Sequence, residues 1–360
     1  MKTNFGSYSL NKELPVGCQL CVQGKKLVLF ISGKCSRSCW YCSLSKKRKN
    51  KDIGWANERK ISLKSEEKAV RELIQEAEES QATSAGITGG DPLLCLNRTL
   101  VFAKALKKKY GKKFHIHIYL PLNLVDKNKL LKLHSCVDEI RFHPSFLINK
   151  NEELMKKEIE KIKMASGIFG KQNTGCELPM IPDKKEEIFE FIRKISPFIS
   201  FVNLNEFEIS ETNQKILMKS YGLNEDTYTI RKSREAGIWI LEKAKKERLK
   251  LKLHFCTACT KNCYQYQNRL KLHKILPFGI KTGEGTVIYF VLDYNKGIIR
   301  KLRDFKIQFY HDIEGNRLVL DPKQLEILLK NKIRFFRSEE HPTHDKTVME
   351  RWEIKSKKEL

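Results

Sequence analysis

Gly33-Lys34-Cys35-Ser36-Arg37-Ser38-Cys39-Trp40-Tyr41-Cys42 is the stretch that decides how this chain reads. Three cysteines stand in the spacing CxxxCxxC, with an aromatic residue directly before the last. A closed cluster or zinc site takes four protein ligands. Three thiolates on one short loop leave a fourth metal position without a protein ligand. An open position of that kind is where a substrate or cofactor binds. Just upstream, residues 25–32 (KKLVLFIS) read as a buried strand. The cysteine loop therefore leaves the C-terminal end of a strand, the end at which barrel-type active sites are built.

Downstream, residues 84–88 read as a second strand that ends in Gly89-Gly90-Asp91-Pro92. Strand-like segments follow at 114–120, 137–142, 175–181 and 199–207. They alternate with helical patterns at 65–81, 100–109, 126–133, 152–165 and 184–195. This β-α rhythm predicts a parallel sheet with crossover helices. Its near six units are fewer than the eight of a closed barrel. Residues 214–231 are polar and read as irregular. A helix at 234–249 and a strand at 250–255 deliver a second cysteine group. From 277 the pattern changes to strand-like segments at 287–294, 303–311 and 317–320, then a helix at 322–330. The expected organisation is an N-terminal extension at 1–24, a core barrel at 25–213, a helix-strand extension at 214–276 and a small α+β appendage at 277–360.

The chain has 360 residues, enough to bury a core without disulfides. An apolar content of 41% excludes a disordered chain. No apolar run approaches the roughly 18 residues of a membrane span, and the N-terminus lacks an apolar export signal. A cytoplasmic protein with no membrane partner is expected. Of the 11 cysteines, eight fall in close groups: Cys18/Cys21, Cys35/Cys39/Cys42 and Cys256/Cys259/Cys263. Cys95, Cys136 and Cys176 stand alone beside apolar residues and read as buried small hydrophobes. The odd total argues against a disulfide framework and the grouping argues for metal ligation. The net charge of +26 would attract a polyanion. It has a plainer reading too, a lysine-rich composition spread along the whole chain.

The cysteine loop resembles the signature of the radical S-adenosylmethionine (SAM) superfamily, placed after the first strand of a partial (β/α)6 barrel. The resemblance implies an α/β fold of that kind with a small C-terminal α+β appendage. It also implies an enzyme in which Cys35, Cys39 and Cys42 hold a [4Fe–4S] cluster, the open iron chelates SAM, and one electron cleaves SAM to a 5′-deoxyadenosyl radical. Tyr41 would lie near the adenine. Gly89-Gly90-Asp91-Pro92 is similar to the family's Gly-Gly-Glu-Pro, which contacts the SAM amino group; here the acid is one methylene shorter. Arg141, His143, Glu177, Asn203, Asn205 and Glu206 stand at strand ends where the family contacts ribose and adenine. Within the superfamily the chain is similar to an archaeal-type group related to pyruvate formate-lyase activating enzyme. Such an enzyme needs an electron donor such as flavodoxin or ferredoxin.

Cys18, Cys21, Cys256, Cys259 and Cys263 could together close an auxiliary iron–sulfur cluster or a zinc site; the plainer reading of Cys18 and Cys21 is ordinary packed thiols. Tyr264, Tyr266, Arg269, Lys271, His273 and Lys274 interleave aromatics with bases, as single-stranded RNA binders do. An amphipathic helix with a solvated basic face gives the same pattern. His115 and His117 read as satisfied positions on one strand face. Three functions follow: radical modification of an RNA such as tRNA; glycyl-radical-type activation or modification of a protein partner; and a non-enzymatic zinc-binding RNA adaptor.

Overall fold

The computed structural model describes residues 1–226 and 228–359. Contacts divide the chain into two units, Met1–Glu78 with Ala82–Tyr266, and Glu79–Gln81 with Gln267–Leu360.

The first unit begins with a short helix, α1 (Val16–Val22), which starts after Pro15. Its parallel strands are β1 (Lys26–Phe30), β2 (Ser84–Thr88), β3 (His115–Pro121), β4 (Glu139–His143), β5 (Thr174–Met180), β6 (Phe201–Glu206) and β7 (Lys252–Cys256). They pair in that order, each parallel to the next. The sheet does not close on itself. A hairpin of Gly54–Ala56 and Arg59–Ile61 extends it beyond β1, and Tyr8–Ser9 pairs antiparallel with β7. This is the partial barrel that the β-α rhythm predicts, with β7 as a seventh parallel strand.

Crossover helices α2 (Glu66–Glu79), α3 (Leu96–Tyr110), α4 (Lys127–His134), α5 (Glu152–Phe169) and α6 (Lys185–Ile195) join the strands. Their starts follow from capping residues. The Asp126 and Asn151 side chains accept N–H bonds from Lys129 and Leu154, which satisfies donors the first turn leaves orphaned. Leu27, Ile87, Ile116, Ile118, Leu178 and Leu204 are fully or almost fully buried in one continuous core. Residues 214–231, read as irregular, include a helix, α7 (Gln214–Ser220), before α8 (Ser233–Lys246).

Among its described residues the second unit has a short helix at Gln267–Leu272, a two-residue strand at Ile280–Lys281, and an antiparallel sheet with two further helices: β8 (Val287–Asp293), α9 (Lys296–Asp304), β9 (Phe309–Asp312), β10 (Arg317–Leu320), α10 (Leu325–Lys330), β11 (Phe336–Glu340) and β12 (Val348–Glu353). The strand order is β9-β10-β8-β11-β12. A βαββαβ chain of this order is the split βαβ arrangement, here with one added edge strand. Phe290, Leu292, Leu302, Leu325 and Leu328 form its core. Residues 303–311 were expected as a strand, but most of the segment belongs to α9 and the turn after it. Asn295 caps that helix at Gly297, and Ile298, Ile299 and Leu302 share one helical face.

Candidate active site

The cysteine loop runs from the end of β1 and rests on the end of β2. The Gly90 N–H donates to the Ser32 carbonyl and the Asp91 N–H to the Lys34 carbonyl, both at 2.8 Å. A Cβ on Gly90 would lie 2.1 Å from the Lys34 carbonyl oxygen. One on Gly89, at φ +152°, would lie 2.4 Å from that of Ser32. No side chain fits at either position, so the glycines are what allow the two backbones to touch.

The far side of the loop is held as firmly. The Asn213 side chain donates to the Tyr41 carbonyl at 3.2 Å, and the Thr212 hydroxyl lies 3.0 Å from the Cys42 carbonyl oxygen and 2.6 Å from that of Leu44. The Trp40 indole donates to the Leu147 carbonyl at 3.2 Å, and its ring stands edge-on to Tyr41 and Phe207. The Tyr41 hydroxyl bonds the Cys39 sulfur, and burial raises the pKa of that hydroxyl. Burial also pushes the Cys35 and Cys39 thiols up.

A cleft of about 380 Å³ opens over the loop. Cys35, Cys39, Cys42, Tyr41, Gly89 and Gly90 line it. So do His143, Asn205, Glu206 and Lys261 from the ends of later strands and the turn after β7. Three soft thiolate donors on one loop suit iron–sulfur chemistry.

Residues 29–146 match the model of the Radical SAM superfamily. The chain is also 34% identical over 367 residues to a Methanocaldococcus jannaschii protein provisionally named a glycyl-radical enzyme activating enzyme, covering 96% of this chain and 94% of that one. The chain belongs to the radical SAM superfamily. It is an enzyme whose cofactors are a [4Fe–4S] cluster and SAM, which sets aside the zinc-binding adaptor. When bound, the cluster supplies the electron that cleaves SAM to methionine and a 5′-deoxyadenosyl radical. The residues lining the cleft fit that cofactor pair: three thiolate donors on one side, exposed glycine backbone beside them. No helix among the described residues is long and apolar enough to cross a membrane.

The radical SAM site differs from expectation at Asp91 and Pro92. Neither lines the cleft. Asp91 is 0% exposed; its carboxylate accepts the Ser36 hydroxyl at 2.6 Å and the Leu93 N–H at 3.0 Å. It braces the cysteine loop from behind, and its shorter side chain suits that reach. Pro92 is buried and opens a short 3₁₀ turn. The strand-end residues divide into two sets. His143, Asn205 and Glu206 face the cleft, whereas Arg141, Glu177 and Asn203 line a separate chamber deeper in the barrel, into which Asn205 also reaches. The five remaining grouped cysteines divide as well. Cys18, Cys21 and Cys256 line that chamber, while Cys259 and Cys263 are exposed, with sulfurs 3.7 Å apart. His115 and His117 take structural positions, with His117 Nε2 3.2 Å from the Tyr119 hydroxyl.

Sequence reasoning missed four residues that shape the site. Arg37, inside the cysteine motif, is an anchor. Thr212 and Asn213 lie far downstream in a segment without periodicity. Lys261 reaches the cleft from the second cysteine group. Only Arg37 carried a signal, as a cation between grouped cysteines.

Proposed function

We propose that this radical SAM enzyme activates a partner protein by generating a glycyl radical in it, with Cys35, Cys39 and Cys42 as the cluster ligands. The observation that carries the reading is the end-to-end likeness to the Methanocaldococcus jannaschii protein, which extends through the appended unit as well as the cysteine loop. The RNA reading drew on the interleaved segment 264–274. Two of its bases are withdrawn from solvent, Arg269 at 9% and His273 at 3% exposure. Residues 46–51 are also rich in bases, and there the Arg48 guanidinium packs over the Phe30 and Trp55 rings at 5.2 and 5.0 Å.

In this reading Gly89 and Gly90 present backbone to the SAM methionine end, and Tyr41 flanks its adenine. His143 stays neutral at pH 7 because burial lowers its pKa, so it offers SAM a dipole rather than a second positive charge. The Asn205 amide is held by Glu177 at 2.7 Å, which fixes its orientation at the cleft wall. Trp40 and Phe207 keep water from the loop's flank.

The electron donor would be an acidic carrier of the flavodoxin or ferredoxin kind. A groove of about 770 Å³ lies against Ser36, Arg37 and Ser38, the residues between the first two cluster cysteines. Lys156, Lys157 and Lys161 line it. Basic side chains beside the metal loop suit the docking of an acidic partner.

The test is anaerobic turnover with SAM and dithionite in the presence of candidate glycyl-radical proteins or bulk tRNA. An organic radical on the partner protein, with 5′-deoxyadenosine formed in matching amount, is expected. Product that rises with tRNA and not with protein would overturn the reading in favour of RNA.

A further inference from the structure

Beneath the SAM cleft lies a second chamber, of about 150 Å³, within the barrel. Two side chains of α1, Cys18 and Cys21, line it, and so does Cys256, the last residue of β7. Cys256 stands more than 230 positions from the other two in sequence, yet all three are at most 6% exposed. Ordinary packed thiols would sit among apolar side chains. Cys18 packs with Leu14 and Val22 on its outer side, but the chamber it faces has a polar wall: Lys26, Tyr119, Arg141, Glu177, Asn203 and Gln265.

Two of the sulfurs are met by N–H donors. Arg141 Nη1 lies 3.3 Å from Cys18 Sγ, and Gln265 Nε2 lies 3.4 Å from Cys256 Sγ. Lys26 shares the wall with Cys21. Donors to a ligating sulfur orient it and tune the metal it holds. Three thiolates would bring three negative charges into the chamber. On the wall Arg141 is paired with Glu139 and Glu177, Lys261 is paired with Glu208 at 2.6 Å, and Lys26 is the third cation.

We propose that Cys18, Cys21 and Cys256 are the thiolate ligands of a second [4Fe–4S] cluster inside the barrel, with Cys259 and Cys263 outside the site. Three soft sulfur donors converging on one enclosed chamber suit iron–sulfur ligation. Ligation releases the thiol protons, and a [4Fe–4S]2+ core built from two ferrous ions, two ferric ions and four sulfides needs no further oxidant or reductant. Asn205 and Lys261 line both the chamber and the SAM cleft, so the two cavities share a wall. The inference stands on the barrel interior and does not depend on which partner the enzyme activates.

The test is anaerobic reconstitution with equal amounts of ferrous and ferric iron and with sulfide, with iron and acid-labile sulfide counted per chain, and a parallel trial with zinc alone. A variant with Cys35, Cys39 and Cys42 all changed to Ala is expected to keep about half the wild-type iron and a [4Fe–4S] EPR signal when reduced. A variant with Cys18, Cys21 and Cys256 changed to Ala is expected to keep the other half. If the latter fails to fold, the former alone decides. The Cys259→Ser/Cys263→Ser variant is expected to hold full iron. Background iron in the Cys35-trio variant, zinc retained in place of iron, or loss of half the iron on changing Cys259 and Cys263 would overturn the proposal. SAM cleavage is not read in this experiment, so its outcome is separate from that of the proposed function.

Discussion

Arg37 lies 2.6 Å from Glu158, with their side chains only 5% and 4% exposed. The same guanidinium donates to the Asn123 side chain and to the His143 carbonyl. Through one side chain, the middle of the cysteine motif is tied to α5, to the end of β4 and to the turn after β3. Removing one partner of a buried pair leaves the other charge uncompensated, at a cost of about 3–5 kcal/mol. Arg37→Met is therefore expected to lower unfolding stability by about that much, while Arg37→Met/Glu158→Leu recovers most of it. Denaturant unfolding checks both. The double variant is expected to bind iron poorly, since the loop has lost its anchor.

Gly90→Ala tests the contact between the two loops. The new methyl group would fall 2.1 Å from the Lys34 carbonyl oxygen and 2.9 Å from Cys35 Cβ, and backbone must move to admit it. The barrel core is far from this methyl, so the fold should persist. Affinity for the reconstituted cluster is expected to fall by about tenfold or more, read from iron content and visible absorbance.

Acid stability should depend on His117. It is 0% exposed, and burial holds its pKa well below the ordinary 6.5. Unfolding releases it to take a proton below pH 6.5, while the folded chain keeps it neutral. Its contribution is complete above pH 6.5 and is lost as the pH falls, at about 1.4 kcal/mol per pH unit. Urea midpoints measured from pH 7 to pH 5 should fall, and more shallowly in His117→Gln.

Charge reversal in the groove separates the electron carriers. Lys156→Glu/Lys157→Glu is expected to slow SAM cleavage driven by reduced flavodoxin by about tenfold at low salt, and to leave cleavage driven by dithionite unchanged. Added salt should narrow the difference. Equal loss with both reductants would mean that the lysines serve the fold and not docking.

The strands of the first unit were legible because both faces of a parallel sheet are buried, which leaves dense apolar runs such as 25–32. The cysteine loop was legible because its chemistry is local in sequence. The seven-residue α1 was not, since two turns are too short for a helical period to show. The role of Asp91 was hidden for another reason: its partner Ser36 lies 55 residues away and carries no pattern. The second cysteine group shows both limits at once. Spacing grouped Cys256 with Cys259 and Cys263, but a π-helical turn at Thr260–Tyr266 leaves the last two outside and only Cys256 in the chamber.

The peptide groups of the cysteine loop are bonded to Gly90, Asp91, Thr212 and Asn213, so its shape is set by protein contacts. Maturation can then follow an order in which the polypeptide folds first and iron arrives afterwards. Exposure to air that strips the metal would leave a vessel ready for refilling, and repair of a damaged cofactor would require no new synthesis of the chain.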